Sequence, residues 1–191
     1  KTKHIKNILS FCDRLLPSGR YVSCDYGTQN ATVFLLWNKG TDGVWYCIRE
    51  YYYSGRTEGK QKTDSEYADD LESWLEETKI KGIIVDPSAA SFIAELRKRG
   101  YKVVKAKNNV EDGIRVVGTK LNQEAIIFAD SCVNTIQEFG SYIWDEPAAA
   151  HGEDRPVKEH DHAMDALRYF VYTILNNQTA IIRSKRKAGF H

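Results

Sequence analysis

Residues 82–106 read Gly-Ile-Ile-Val-Asp-Pro-Ser-Ala-Ala-Ser-Phe-Ile-Ala-Glu-Leu-Arg-Lys-Arg-Gly-Tyr-Lys-Val-Val-Lys-Ala. The run 82–86 is short and apolar up to its closing aspartate, as a strand covered on both faces should be. Pro87 and Ser88 open a helix that runs to about Arg99, and Gly100 closes it. Tyr101 to Ala106 is a second strand. A strand, a helix and a strand in this order predict a right-handed crossover between parallel neighbours.

Working outward, residues 20–26, 31–38 and 43–53 are rich in Val, Tyr, Phe, Trp and Ile. Turn-forming residues at 27–30 and 39–43 separate them, which predicts an antiparallel three-stranded meander. A polar, solvated loop over 54–63 follows. Asp64 is then expected as the N-cap of a helix with Tyr67, Leu71, Trp74 and Leu75 on one face. Beyond 106 come a helix near 110–121, a short strand near 125–128 and a helix near 131–143. An exposed loop over 145–159 precedes a last helix from about His160 to Asn176. Upstream, Ile5 to Leu16 reads as a short amphipathic helix ended by Pro17-Ser18-Gly19. The expected fold is α/β, a mixed five-stranded sheet with helices on both faces. The expected division is a lead-in over 1–19, one domain over 20–177 and a basic, disordered tail over 178–191.

Bulk composition narrows the function classes. The chain has 191 residues, 42% hydrophobic and 28% charged, as suits one globular domain with a proper core. A net charge of +1 means that a nucleic-acid partner must be held by a local basic patch. No apolar run is long enough to span a membrane. The start at Lys1, without Met or an apolar signal core, reads as an excised domain. The cysteines at 12, 24, 47 and 132 have no Cys-x-x-Cys spacing, which argues against structural zinc and for thiols in a reducing setting.

Three aspartates carry the chemistry. Asp25 ends a strand in Tyr-Val-Ser-Cys-Asp-Tyr-Gly, residues 21–27, and Asp86 ends the run 82–86. If those strands are parallel neighbours, both carboxylates leave the same sheet edge, where α/β folds place ligands. Asp165 lies in Asp-His-Ala-Met-Asp-Ala-Leu-Arg-Tyr, residues 161–169. At roughly 100° per residue, Asp161, His162 and Asp165 share one helical face, beside an apolar stripe of Ala163, Ala166, Phe170 and Ile174. Oxygen ligands without cysteine favour Mg²⁺ or Mn²⁺. Metal-assisted phosphodiester cleavage is therefore the leading chemistry. The plain alternatives stand beside it. Asp86 before Pro-Ser suits a cap, Asp25 suits the 27–30 turn, and Asp161 suits the first helical turn more than ligation.

These residues resemble the C-terminal nuclease domain of the tailed-bacteriophage terminase large subunit, which has an RNase H-like fold. The most specific piece is Lys158-Glu-His-Asp-His-Ala-Met-Asp-Ala-Leu-Arg-Tyr169. Cys-Asp-Tyr-Gly, Val-Asp-Pro-Ser-Ala and Asn-Asn-Val-Glu-Asp-Gly-Ile-Arg (108–115) support it, as does the Trp144 region. The resemblance implies a two-metal endonuclease of low sequence preference that cuts concatemeric viral DNA during packaging, in the cytoplasm of the infected host. Asp25, Asp86 and Asp165 would be its catalytic, metal-binding carboxylates, with His162 an accessory ligand to one of two Mg²⁺ or Mn²⁺ ions. It further implies double-stranded DNA, an ATPase domain absent from this chain, a small terminase subunit and a portal protein as partners. The glycine-lysine text at 55–61 lacks phosphate-loop spacing, so no ATP hydrolysis is expected. Lys105, Lys107 and Lys158 are candidate phosphate contacts, and Arg183 to Lys187 is a basic stretch of the tail. Two other readings are a junction-resolvase or integrase-like nuclease on the same fold, and a non-catalytic DNA- or portal-docking module.

Overall fold

The strand Ala31–Lys39 (β3) is apolar on both sides of its alternation. Val33, Leu35 and Trp37 enter one apolar layer, and Phe34 and Leu36 enter another. A strand buried on both faces must lie inside a sheet with cover above and below. The computed structural model describes residues 2–28, 30–141 and 161–176. The expected loop 145–159 with Lys158, Trp144, the helix start at His160 and the basic tail lie outside these residues.

The meander is present. Tyr21–Asp25 (β2) pairs antiparallel with β3, and β3 pairs antiparallel with Trp45–Ser54 (β4). Ile83–Val85 (β5) lies parallel to β2, and Val103–Lys105 (β6) lies parallel to β5. β5 is thus an interior strand, joined to β6 through the crossover helix Ala90–Lys98 (α3). Gly100, at φ 89, closes that turn in the left-handed region.

The sheet has seven strands, not five. Its other members are Ile5–Lys6 (β1) and Ile126–Ala129 (β7), and the order is β1-β7-β4-β3-β2-β5-β6. All four residues of β7 are buried, and it runs parallel to Trp45–Cys47. Its brevity hides its membership in the sheet. The lead-in is not an amphipathic helix. Ile5 and Lys6 pair with Phe128 and Ala129, and two short 3₁₀ turns follow. Phe11 is buried and stacked on Tyr46 at 4.4 Å. Docking of Ile5 and Phe11 overrides a weak local helical preference.

Helices cover both faces. Asp64–Leu75 (α2) and α3 pack on Val22, Phe34 and Leu36. Asp64 is not the cap of α2. Thr63 is, and its side chain and Glu66 form a reciprocal capping box. The expected loop over 54–63 contains one helical turn, Gly55–Glu58 (α1). On the other face lie Val110–Asn122 (α4), Val133–Ser141 (α5) and His162–Phe170 (α6). Ala163, Ala166 and Phe170 of α6 are fully buried, and Phe170 stacks on Trp37 at 4.3 Å. Burying a side chain the size of Phe170 contributes roughly 1.5–3 kcal/mol, which helps to hold α6 on the sheet. Cys24, Cys47 and Cys132 are buried free thiols, and Cys12 is exposed.

Candidate functional site

The register settles where the strand-end carboxylates go. Cys24 is the parallel partner of Val85, so Asp25 and Asp86 leave one edge together. Alternation puts them on one face. Ser23, two residues before Asp25, accepts the indole N–H of Trp37 at 3.0 Å, and Trp37 belongs to the α6-side apolar layer. Ile84, two before Asp86, belongs to the same layer. Asp25 and Asp86 therefore project toward α6, whose first turns carry His162 and Asp165.

Asp25, Asp161, His162 and Asp165 line one cleft of about 1010 Å³. His162 Nδ1 and Asp25 Oδ2 share a hydrogen bond at 3.0 Å. Burial pushes the Asp25 carboxyl up to about 6, the His162 hydrogen bond opposes this, and nearby Asp165 adds to the rise. The hydrogen bond to Asp25 raises the His162 imidazole in return. Asp165 is also raised by burial, against the pull of Arg168. Burial, more than repulsion among the carboxylates, sets these shifts.

Asp165 is clamped from within its own helix. Arg168 Nη2 and Nε donate to its Oδ1 at 2.8 and 3.3 Å, and Arg168 Nη1 donates to the Asn108 carbonyl at 2.8 Å. Arg168 is only 3% exposed. The segment 108–115 is the seat of this arginine. Asn109 caps α4 through the Asp112 N–H, and Gly113 lets the arginine stem cross the helix. A Cβ at Gly113 would stand 2.6 Å from Arg168 Cγ and 2.7 Å from Cδ. Alanine normally favours a helix interior over glycine by up to about 1 kcal/mol. Here Gly113→Ala is expected to destabilise by roughly 1–3 kcal/mol through overpacking. Urea unfolding checks this, and a stabilised variant would contradict the clamp.

Asp86 sits differently. Its Oδ1 accepts the Ser88 N–H at 2.7 Å, so the turn-cap role is real. Its Oδ2 accepts the Tyr169 hydroxyl at 2.7 Å. Burial raises its carboxyl, but hydrogen bonds from Ser88, Tyr169 and Asn108 outweigh that and hold it below the ordinary value. Asp86 is absent from the cleft lining. Tyr169 connects it to the others, because burial and then Asp165, Asp25 and Asp86 all raise the Tyr169 phenol. Among the described residues, no group of three His, Cys, Asp or Glu side chains is arranged to hold a metal ion as it stands. The carboxylate oxygens and the imidazole are nevertheless donor types that suit a divalent cation.

Asp161 does not cap α6 with its side chain, although it occupies the N-cap position; it lines the cleft instead. Glu138 of α5 takes the capping role. Its Oε2 accepts the N–H groups of Ala163 at 2.7 Å and Met164 at 3.1 Å. Glu138 is 4% exposed, and the Tyr52 hydroxyl also bears on its carboxylate. Burial raises its carboxyl to about 7, against the Met164 N–H, Tyr52 and the Ala163 N–H. Glu50 of β4 repeats the arrangement one helix earlier. Its Oε1 accepts the Asn134 N–H at 2.7 Å, and its Oε2 accepts the Thr135 N–H at 2.9 Å. Sequence reasoning misses Glu50, Glu138 and Arg168. Only Arg168 leaves a signal, its three-residue spacing from Asp165.

Arg56 of α1 is exposed and lines the cleft, so the 54–63 segment forms part of its wall. Among the described residues there, it is the one lysine or arginine. Lys105 and Lys107 are exposed but do not line the cleft. Among the described residues, no helix is long and apolar enough to cross a membrane.

No protein-family model matches the sequence. The chain is 53% identical to the large terminase of a thermophilic bacteriophage, with a TM-score of 0.84, covering 92% of this chain and 44% of that one. It is 27% identical over 157 residues to the large terminase subunit of Escherichia phage T5, covering 80% of this chain and 34% of that protein. The nuclease domain of the bacteriophage SPP1 large terminase, solved with bound Mn, is 22% identical with a TM-score of 0.59. That match covers 89% of this chain and 96% of the domain. The chain spans less than half the length of the whole terminases it matches.

Proposed function

We propose that this chain, the counterpart in sequence and in its RNase H-like fold of the nuclease domain of phage large terminases, cuts double-stranded DNA with divalent metal. The observation that carries this is the Asp25–His162–Asp165 cleft at the edge where two parallel strands end beneath α6. Asp25 and Asp165 would hold metal from the sheet and from the helix, with His162 beside Asp25. Asp86 would join them after exchanging its Tyr169 contact. Two Mg²⁺ or Mn²⁺ ions bound there would supply charge neutralisation and an acidified water.

The chain's own residues prepare that site. His162 orients Asp25, Arg168 fixes the rotamer of Asp165, and hydrogen bonds from Ser88 and then Tyr169 hold Asp86 ionised. Arg56 is the proposed phosphate contact inside the cleft. Lys105 and Lys107 are proposed as further backbone contacts outside it, along with Lys158, which lies outside the described residues. Such contacts confer affinity without sequence readout. Cutting of concatemeric genomes, and work alongside an ATPase domain, a small subunit and a portal, are the corresponding roles proposed in the whole protein. The manganese in the SPP1 domain supports Mn²⁺ as the ion to test first.

Metal and pH are coupled in a definite direction. Folded Asp25 keeps its proton up to about 6 against an ordinary 3.8, and folded Glu138 up to about 7 against 4.5. Between those values the folded state binds more protons than the unfolded, so metal-free stability falls as pH rises. The raised imidazole of His162 acts in the same sense, since its stabilisation is present at low pH and lost above its folded pKa. Metal takes the deprotonated ligands. The melting temperature gained on adding Mn²⁺ is therefore expected to be larger at pH 7 than at pH 5. At a hundredfold excess over Kd the gain is about 2.7 kcal/mol, or roughly 5–10 °C for a chain of this size. Differential scanning fluorimetry with and without EDTA, alongside plasmid nicking, tests this. Equal gains at both pH values, or nicking that survives EDTA, would contradict the proposed site.

A further inference from the structure

We propose that Glu50 and Glu138 form a two-step capping relay that positions α6, so that the sheet sets the place of His162 and Asp165 through α5. The proposal rests on the nuclease reading for its consequence and on geometry for its existence. Each carboxylate accepts the N–H groups of the second and third residues of a helix. For Glu50 these are Asn134 and Thr135 of α5. For Glu138 they are Ala163 and Met164 of α6. Those are groups that a helix cannot satisfy internally, and a carboxylate there also meets the positive end of the helix dipole.

Neither glutamate belongs to the helix it caps, so both contacts are tertiary. Glu50 sits on β4, which is held by β3 on one side and β7 on the other. The Asn134 and Thr135 side chains add two more contacts to it, at 3.0 and 2.7 Å. Glu138 lies one turn further along the same α5. A shift of α5 therefore moves the cap of α6. His162 is the first residue of α6 and Asp165 the fourth. The Asp161 side chain makes no capping bond, so Glu138, which also lines the cleft, supplies the side-chain cap. An error of about 1 Å in such a group can cost about a hundredfold in rate. Glu50 and Glu138 are positioning residues in this scheme.

Amide hydrogen exchange on the metal-free 191-residue chain tests the relay without any activity. Glu138→Ala should accelerate exchange at Ala163 and Met164. Glu50→Ala should accelerate Asn134 and Thr135 and, through α5, Ala163 and Met164 as well, while Leu35 in the central strand keeps its protection. If Glu50→Ala loosens only α5, or if Leu35 accelerates equally, the relay is overturned. Should Glu50→Ala fail to fold, Glu50→Gln, which keeps one acceptor oxygen, is read in the same way. In nicking assays Glu138→Ala should lower kcat about 10–100-fold with little change in KM for DNA. Glu138→Gln, whose amide oxygen still accepts both N–H groups, should return to within a few-fold of the parent. A Gln variant as inactive as the Ala variant would overturn the positioning role and assign Glu138 a charge-dependent one instead. A parent protein that never nicks DNA would sink the nuclease reading while leaving the exchange result standing.

Discussion

Asp165→Asn is expected to abolish Mn²⁺-dependent nicking, by at least about a hundredfold, while leaving the metal-free fold intact or firmer. The two halves of this expectation have separate causes. A neutral amide is a poor ligand for a hard cation, so binding of metal at the helix side of the cleft is lost. The amide oxygen still accepts from Arg168, so the clamp survives. Burial already pushes the folded-state carboxyl toward its neutral form, and asparagine removes the cost of the charge. Supercoiled-plasmid nicking and thermal melting of the same sample read both halves. Loss of activity with a large fall in melting temperature would mean that Asp165 serves the fold, and the metal assignment would fail.

Arg168→Ala should strike the fold first. It removes a 3% exposed cation that pins Asp165 and satisfies the Asn108 carbonyl. Breaking a buried pair from one side costs roughly 3–5 kcal/mol. The Asp165 side chain keeps 26% of its exposure, so the lower end, about 3 kcal/mol, applies. That corresponds to roughly 6–12 °C in melting temperature. Nicking should fall too, because Asp165 loses its fixed rotamer. Arg168→Lys restores charge but not the planar fork, and should recover only part of either loss. A variant with the parent's stability would show that the clamp contributes nothing.

The legible part of this site is the part that strands and helices index by themselves. The shared sheet edge of Asp25 and Asp86 is readable because each closes an apolar run and the parallel register of β2 and β5 makes run endings coincide, although Asp86 stays out of the cleft lining. His162 and Asp165 are readable because helical spacing puts them on one face. Asp64 reads as a cap because Asp and Thr both suit that position, and only the reciprocal bond from Glu66 separates them. β1 and β7 are illegible as sheet members, since two mixed residues and four apolar ones carry no periodicity. Glu50 and Glu138 are invisible for a different reason. A glutamate in a strand or helix reads as a solvated residue, and nothing local says that a helix from elsewhere begins against it. The polar 54–63 segment likewise gives no hint that Arg56 lines the cleft.

The proposed ligands come from elements far apart in the sequence. Asp25 and Asp86 ride on the sheet, and His162 and Asp165 ride on a helix laid across it. A scissor with its blades on different arms needs no change in either blade to stop cutting. A substitution that shifts α6 on the sheet would part the proposed ligand pairs with every strand still in register. Under the proposed function, such a variant would keep its fold and stop cutting.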